Sequence, residues 1–185
     1  MLTYPMTIAG LRRELPLCRV NDELYIGAFV IFGDCELTEA CAAELLKRAP
    51  EYYYMITAES KGIPLVYAMA RQHGDSKWML ARKGVKLYMR DVVATEGRSI
   101  TTAGVQKLYL DGADAAMMKG KRILIVDDVI STGESLRALE TLVEQVGGVI
   151  AGRMAILAEG EAQKRSDLIY LEKLPVFNAA GEIIG

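Results

Sequence analysis

The stretch that most constrains the fold of this chain covers residues 123–135. Its first four residues, 123–126, are all aliphatic, which is typical of a strand covered on both faces in a parallel sheet. Two adjacent carboxylates, Asp127 and Asp128, are predicted to end that strand. After a turn of small residues, apolar side chains recur at helical spacing and predict a helix over about 134–146. The stretch therefore predicts a strand–turn–helix unit of an α/β fold.

The predicted turn is suited to binding an anion. The first backbone N–H groups of a helix lack partners, and the positive end of the helix dipole lies there. Thr132 is expected to cap the helix, and Gly133 is expected to let a ligand approach the backbone closely. Asp127 and Asp128 suit sugar hydroxyls or a hydrated Mg²⁺ rather than a phosphate. The candidate phosphate-binding residues are Ser131, Thr132, Gly133, Glu134 and Ser135.

Three sequence blocks resemble one family. The stretch 123–135 resembles the phosphoribosyl-pyrophosphate (PRPP) motif of type I phosphoribosyltransferases, and the wider chain is similar to their adenine phosphoribosyltransferase branch. The segment 59–62 is similar to the pyrophosphate loop of that family, and 82–87 is similar to the Arg-Lys-x-x-Lys-Leu signature of the branch. The resemblance covers roughly residues 35 to 160, with the blocks in the family's order.

The resemblance implies a type I phosphoribosyltransferase fold, an α/β fold in which helices flank a central, mostly parallel sheet. It implies a single domain over 1–185, with a small β-rich hood from residues 1–33 and about 168–185. A mobile lid loop is implied over about 84–105. The chain departs from the branch in three places. Tyr88 replaces the usual proline, and Thr102 best matches the usual glutamate of the lid. The adenine-binding Phe-Arg-Asp segment of the branch has only a poor match, at residues 32–34.

The resemblance also implies a reaction. It is the Mg²⁺-dependent transfer of the 5-phosphoribosyl group from PRPP to a nucleobase, a purine with adenine favoured, in nucleotide salvage. Asp127 and Asp128 would be the catalytic residues, holding the ribose hydroxyls and, through water, Mg²⁺. The turn 131–135 would bind the 5′-phosphate, a cis peptide bond would join Glu59 to Ser60, and the enzyme would be a homodimer. The implied pyrophosphate-binding residues are Glu59, Ser60, Lys61, Gly62, Arg82, Lys83 and Lys86.

Composition argues against several other classes of protein. The chain has 185 residues, 51% of them hydrophobic, and a net charge of −2 from 22 basic and 24 acidic residues. This balance offers no basic field for nucleic acid. A cytoplasmic protein without membrane contact is expected, since we find neither a signal peptide nor an apolar stretch of membrane-spanning length. The cysteines have no metal-binding spacing and are expected to be reduced, and a single histidine, His73, excludes sites built on several histidines.

The rest of the chain predicts alternating strands and helices. A hairpin through Gly10 is expected over 6–17, followed by a strand over 24–32. Further helices are predicted over about 36–48, capped by Asp34, and over 63–73. Further strands are predicted over 52–57, 78–81, 106–110, 149–157, 167–171 and 174–177, with a turn at Asp111–Gly112.

Other functions fit parts of the pattern. A non-catalytic PRPP-binding regulator of the same fold agrees with Thr102, although such regulators usually carry an extra DNA-binding domain. A phosphoacceptor receiver domain also opens with an aliphatic strand and an aspartate pair, but that pair lies near the start of the domain. The plainest alternative is a buried strand and a capped helix with solvated aspartates. No G-x-x-x-x-G-K-[ST] motif supports a P-loop enzyme, and no G-x-G-x-x-G motif supports a dinucleotide site.

Overall fold

The structure is a computed structural model, and it describes residues 2–95 and 107–184. Its strands are β1 (Thr3–Ile8), β2 (Leu11–Arg19), β3 (Tyr25–Gly27), β4 (Tyr54–Ala58), β5 (Met79–Ala81), β6 (Val93–Ala94), β7 (Tyr109–Leu110), β8 (Arg122–Ile130), β9 (Val149–Glu159), β10 (Ile169–Leu174) and β11 (Val176–Phe177). Its α-helices are α1 (Cys35–Leu46), α2 (Gly62–His73), α3 (Gly112–Met118) and α4 (Glu134–Gln145).

A central parallel sheet has the spatial order β10–β9–β8–β4–β5, so that β8 lies in its middle. The side chains of β8 alternate between two cores. Leu124 and Val126 pack in the core that contains residues of α1 and α2, whereas Ile123 and Ile125 pack in the core that contains residues of α4. All four are fully buried, which explains the uninterrupted apolar run. The predicted α/β fold with a mostly parallel central sheet is confirmed.

All three predicted helices are present, as α1, α2 and α4, and a side chain caps the start of α1. Asp34 accepts a hydrogen bond from the backbone N–H of Leu37 at 3.0 Å and begins α1, as the sequence predicts. The prediction of a simple turn at Asp111–Gly112 is wrong. Asp111 accepts from the backbone N–H of Ala113 at 3.0 Å and begins the seven-residue helix α3. A helix this short has too few apolar positions to show a period.

A second, antiparallel sheet has the order β1–β2–β3–β11. β1 and β2 form the predicted hairpin, which turns at Ala9 and Gly10. The predicted strand over 24–32 is too long, because only Tyr25–Gly27 forms β3 and the buried Phe29 and Ile31 follow it outside any strand.

The segment that was expected to form the C-terminal part of a hood is divided between the two sheets. Residues 169–174 form β10, which joins the central sheet beside β9, and only β11 joins the antiparallel sheet. The reason is that Leu171 and Leu174 are buried in the core beneath the central sheet. The division of the chain into a single domain with a hood stays a prediction.

The predicted lid is described only as far as residue 95. There β6 pairs with β7, and the backbones of Arg82 and Tyr109 form an antiparallel bridge. Residues 96–106, and with them Thr102, lie outside the described residues. Within the part of the chain that the structure describes, no helix is long and apolar enough to cross a membrane.

Candidate active site

Two carboxylates lie inside the central strand of the main sheet. Asp127 and Asp128 belong to β8, and the expectation that they end this strand is wrong, because β8 continues to Ile130. Ile130 still pairs with Ala158 of the neighbouring β9. The Asp128 side chain is buried, Asp127 is partly buried, and the backbone N–H of Asp128 donates to Oδ1 of Asp127 at 2.9 Å. The polar pair therefore interrupts a strand that is otherwise apolar and fully paired.

The carboxylate pair has one basic side chain beside it. Nζ of Lys61 lies 3.5 Å from Oδ2 of Asp128, and this oxygen has no hydrogen-bond partner among the described residues. Burial and, after it, the charge of Asp128 raise the pKa of Asp127 to about 7, and the charge of Lys61 opposes that rise. A buried hydrogen-bond acceptor without a donor destabilises the folded protein unless a ligand supplies the donor. The pair is thus suited to sugar hydroxyls or to a hydrated cation.

The loop 59–62 brings Lys61 to this place. It connects β4 to α2, and its Glu59–Ser60 peptide bond is cis, as the resemblance implies. Lys61 occupies the N-cap position of α2 and Gly62 is the first helical residue. The loop therefore lies at the carboxyl end of β4, beside the carboxylates of the adjacent β8.

Gly62 is packed against the strands more tightly than any side chain would allow. A Cβ atom on Gly62 would lie 2.0 Å from Oγ1 of the buried Thr57 and 3.3 Å from Oδ1 of Asp127. Glycine lets a backbone approach its neighbours this closely. Thr57, which the sequence did not single out, thus sets the space in which the pyrophosphate-type loop can lie.

Glu59 links this loop to the residues after β5. Nη1 of Arg82 donates to Oε1 of Glu59 at 2.9 Å, and the backbone N–H of Lys83 donates to Oε2 at 3.1 Å. The Lys83 hydrogen bond first, and then Arg82, hold the pKa of Glu59 below its usual range, with a small contribution from the exposed Lys86. The guanidinium of Arg82 also lies 5.7 Å from the centre of the Tyr88 ring. Glu59 thus holds Arg82 in place.

The turn between β8 and α4 has a different cap from the predicted one. Gly133, with a φ of 78°, is the N-cap residue of α4. Thr132 does not occupy that position, and its Oγ1 accepts from the backbone N–H of Glu134 only at 3.5 Å. The left-handed backbone that the turn needs is far easier for glycine than for threonine, which is why the cap falls one residue later. The turn 131–135 follows β8 directly, at the same sheet edge as the carboxylates.

The oxygen donors of this site fit a Mg²⁺ ion held through water. No cluster of three or more His, Cys, Asp or Glu suited to a metal occurs among residues 2–95 and 107–184. Mg²⁺ needs no such cage where one or two carboxylates, waters and substrate phosphates supply its ligands. The partnerless Oδ2 of Asp128 and the adjacent carboxylate of Asp127 provide hard oxygens of this kind.

One acidic residue at this edge was missed by the sequence analysis. Glu159 is the last residue of β9, which lies next to β8. Its side chain is partly buried, and burial raises its pKa while the charge of Lys61 opposes the rise. A signal was present, because Glu159 is the first charged residue after the apolar run 154–158 and ligands bind at the carboxyl ends of such strands.

Comparison with known proteins agrees with this geometry. The family described as "Phosphoribosyl transferase domain" matches residues 49–178. The hypoxanthine/guanine phosphoribosyltransferase of Methanotorris igneus is 32% identical over 110 residues, which are 60% of this chain and 56% of that protein. The adenine phosphoribosyltransferase of Acetivibrio thermocellus is 27% identical over 154 residues, with 80% and 84% covered. The crystal structure of adenine phosphoribosyltransferase from Thermoanaerobacter pseudethanolicus has the same fold, with a TM-score of 0.63 at 23% identity and with 77% and 84% covered.

The fold and the carboxyl edge of its sheet define a protein of the type I phosphoribosyltransferase class. The chain belongs to the phosphoribosyl transferase domain family, which confirms the resemblance drawn from the sequence. It spans about half the length of several of the curated relatives that it matches.

Proposed function

We propose that this protein catalyses the Mg²⁺-dependent transfer of the 5-phosphoribosyl group from PRPP to a purine base, with adenine favoured. The products are a nucleoside monophosphate and pyrophosphate, as in nucleotide salvage. The observation that carries this proposal is the 3.5 Å approach of Lys61 to Asp128, because it brings the pyrophosphate-type loop and the PRPP-type strand into one site. Relatives named as adenine and as hypoxanthine/guanine phosphoribosyltransferases support a purine acceptor.

Each part of the site has a role in this reaction. The backbone N–H groups of the turn 131–135 bind the 5′-phosphate at the start of α4. Asp127 and Asp128 accept hydrogen bonds from the ribose hydroxyls and stabilise the positive charge that develops on the ribosyl group. Lys61 and Arg82 bind the pyrophosphate, and Glu59 holds Arg82 in place. Catalysis then consists mainly of positioning and electrostatic stabilisation.

The bond changes are those of a substitution at the anomeric carbon. The bond from that carbon to the pyrophosphate oxygen breaks, and pyrophosphate leaves with the electron pair. A ring nitrogen of the base forms the new bond, and its proton passes to the pyrophosphate that leaves with the electron pair. Asp127 and Asp128 would hold Mg²⁺ through water, and the bound ion would supply positive charge that stabilises the leaving pyrophosphate. Closure of a lid over about 84–105 would exclude water that competes with the base.

The proposal extends to the setting of the enzyme. By resemblance to the family, the protein acts as a homodimer in the cytoplasm. Size-exclusion chromatography with light scattering tests the first part directly. A monomer that retains full activity would contradict it.

The decisive experiment is a nucleotide-formation assay with PRPP, Mg²⁺ and a panel of purine and pyrimidine bases, read by chromatography. Conversion of a purine supports the proposal and identifies the substrate. If no base reacts although PRPP binds, the activity proposal is overturned in favour of a PRPP-binding regulator. Omitting Mg²⁺ and adding a chelator provides the matched control.

A further inference from the structure

Glu159 is a partly buried carboxylate at the candidate site that the proposed reaction does not use. Among residues 2–95 and 107–184, the charge of Lys61 acts on its side chain, but Lys61 forms its ion pair with Asp128. Its neighbour Glu161, in contrast, is exposed and pairs with Lys164 at 2.7 Å. Because the Glu159 side chain is only partly buried, its carboxylate can accept a hydrogen bond from a ligand that brings a donor.

The order of the strands fixes the side of the site on which Glu159 lies. The pyrophosphate-type loop follows β4, on one side of β8, and Glu159 ends β9, on the other side. In a displacement at the anomeric carbon, the entering nitrogen approaches from the face opposite to the leaving pyrophosphate. Glu159 therefore lies across β8 from the loop that would bind the pyrophosphate, which is the side that the proposed reaction leaves to the base.

The surroundings of Glu159 also connect it to the antiparallel sheet. Glu159 pairs in register with Leu174 of β10. A Cβ atom on Gly27 of β3 would lie 3.3 Å from Cδ1 of the same leucine. Glu159 thus lies in the strand between β8 and β10, and its register partner Leu174 reaches the antiparallel sheet at Gly27.

We infer, on the basis of the proposed function, that Glu159 is a specificity-determining residue that accepts a hydrogen bond from the exocyclic 6-amino group of the purine. An ionised carboxylate accepts hydrogen bonds but cannot donate them. It therefore attracts an amino group and repels a carbonyl oxygen at the same position. The substrate class is then a 6-aminopurine, and 6-oxopurines are discriminated against. Lys61, whose charge acts on Glu159, is expected to turn to the pyrophosphate when PRPP is bound.

The test compares Glu159→Gln with the wild-type enzyme on adenine and on hypoxanthine. Glutamine keeps the shape of the side chain but carries an amide that both donates and accepts. We expect kcat/KM for adenine to fall at least about tenfold, since a charge-assisted hydrogen bond is lost. The value for hypoxanthine should stay equal or rise, and the KM for PRPP should not change. Glu161→Gln, a change of the same kind at an exposed neighbour, should leave both bases unaffected.

Several results would overturn the inference, and they differ from failure of the proposed function. An adenine-to-hypoxanthine ratio in Glu159→Gln within about twofold of the wild-type ratio removes the specificity role. If Glu159→Gln lowers kcat/KM equally for both bases and raises the KM for PRPP, Glu159 acts by positioning Lys61 and does not recognise the base. A wild-type enzyme that uses 6-oxopurines but not adenine overturns the inference and leaves phosphoribosyl transfer standing. A wild-type protein that converts no base overturns the proposed function, and this inference with it.

Discussion

The ammonium nitrogen of Lys61 lies 3.5 Å from Oδ2 of Asp128, although the two residues belong to different strand–helix units. The Asp128 side chain is 6% exposed and that of Lys61 is 49% exposed. The ion pair therefore joins a buried carboxylate to a side chain that can still move. A lysine in this position offsets the charge of Asp128 and can turn to an anionic ligand without a change of the backbone.

Replacing Lys61 tests this arrangement. In Lys61→Gln we expect the KM for PRPP to rise about tenfold or more, because a charged contact to pyrophosphate is lost. The KM for the base should change little. Steady-state kinetics of nucleotide formation measures both. Lys119→Gln, at an exposed lysine after α3, is the control, and an unchanged KM for PRPP in Lys61→Gln would contradict the role given to Lys61.

Replacing both aspartates tests the chemistry of the site. We expect Asp127→Asn combined with Asp128→Asn to abolish turnover, because amides stabilise the developing positive charge far less than carboxylates do. The fold should persist, since asparagine is nearly isosteric with aspartate. Circular dichroism and thermal unfolding check the fold beside the activity assay. Near-normal activity in this variant would refute the catalytic assignment.

The raised pKa of Asp127 predicts a specific dependence of stability on pH. The pKa of this carboxyl is about 7 in the folded protein and near 4 in the unfolded chain, so the folded state binds the proton more tightly. The contribution of Asp127 to stability is therefore full below about pH 4 and is lost as the pH rises toward 7.

Chemical denaturation at pH 5 and at pH 8 isolates this contribution. The amide in Asp127→Asn does not ionise. The free energy of unfolding should therefore fall less between pH 5 and pH 8 in this variant than in the wild-type protein. Titrating groups away from the site contribute equally to both proteins and cancel, whereas Asp128, whose charge acts on Asp127, is part of the measured difference. Parallel stability curves for the two proteins would show that Asp127 titrates normally.

The packing at Gly62 predicts a steric effect. In Gly62→Ala the new methyl group would lie 2.0 Å from Oγ1 of Thr57, so the loop or the strand must shift. We expect a loss of about 1–3 kcal/mol in unfolding free energy, as for overpacking elsewhere, and a loss of PRPP affinity.

Two further variants test whether the contact with Thr57 causes the loss of stability. Gly84→Ala is the matched control, because a Cβ atom at Gly84 meets nothing within 4 Å. Adding Thr57→Ala to Gly62→Ala removes the oxygen that clashes and should restore part of the stability. If Gly62→Ala is as stable as Gly84→Ala, the close contact does not govern the loop.

Much of this protein was determined by local sequence. The apolar run 123–126 predicted a central strand because both of its faces are covered. The turn and helix that follow it were predicted from residue types, as was the capped start of α1 at Asp34. These features depend on residues a few positions apart, so their pattern is visible without any knowledge of the fold.

The tertiary structure decided which of these segments meet. Sheet order places β4 on one side of β8 and β9 on the other, and only this order brings Lys61, Asp128 and Glu159 to one edge. It also decided that Thr57 limits the space at Gly62. Strand pairing, close packing and burial of charge depend on residues far apart in the chain. A short-period sequence pattern therefore cannot predict them.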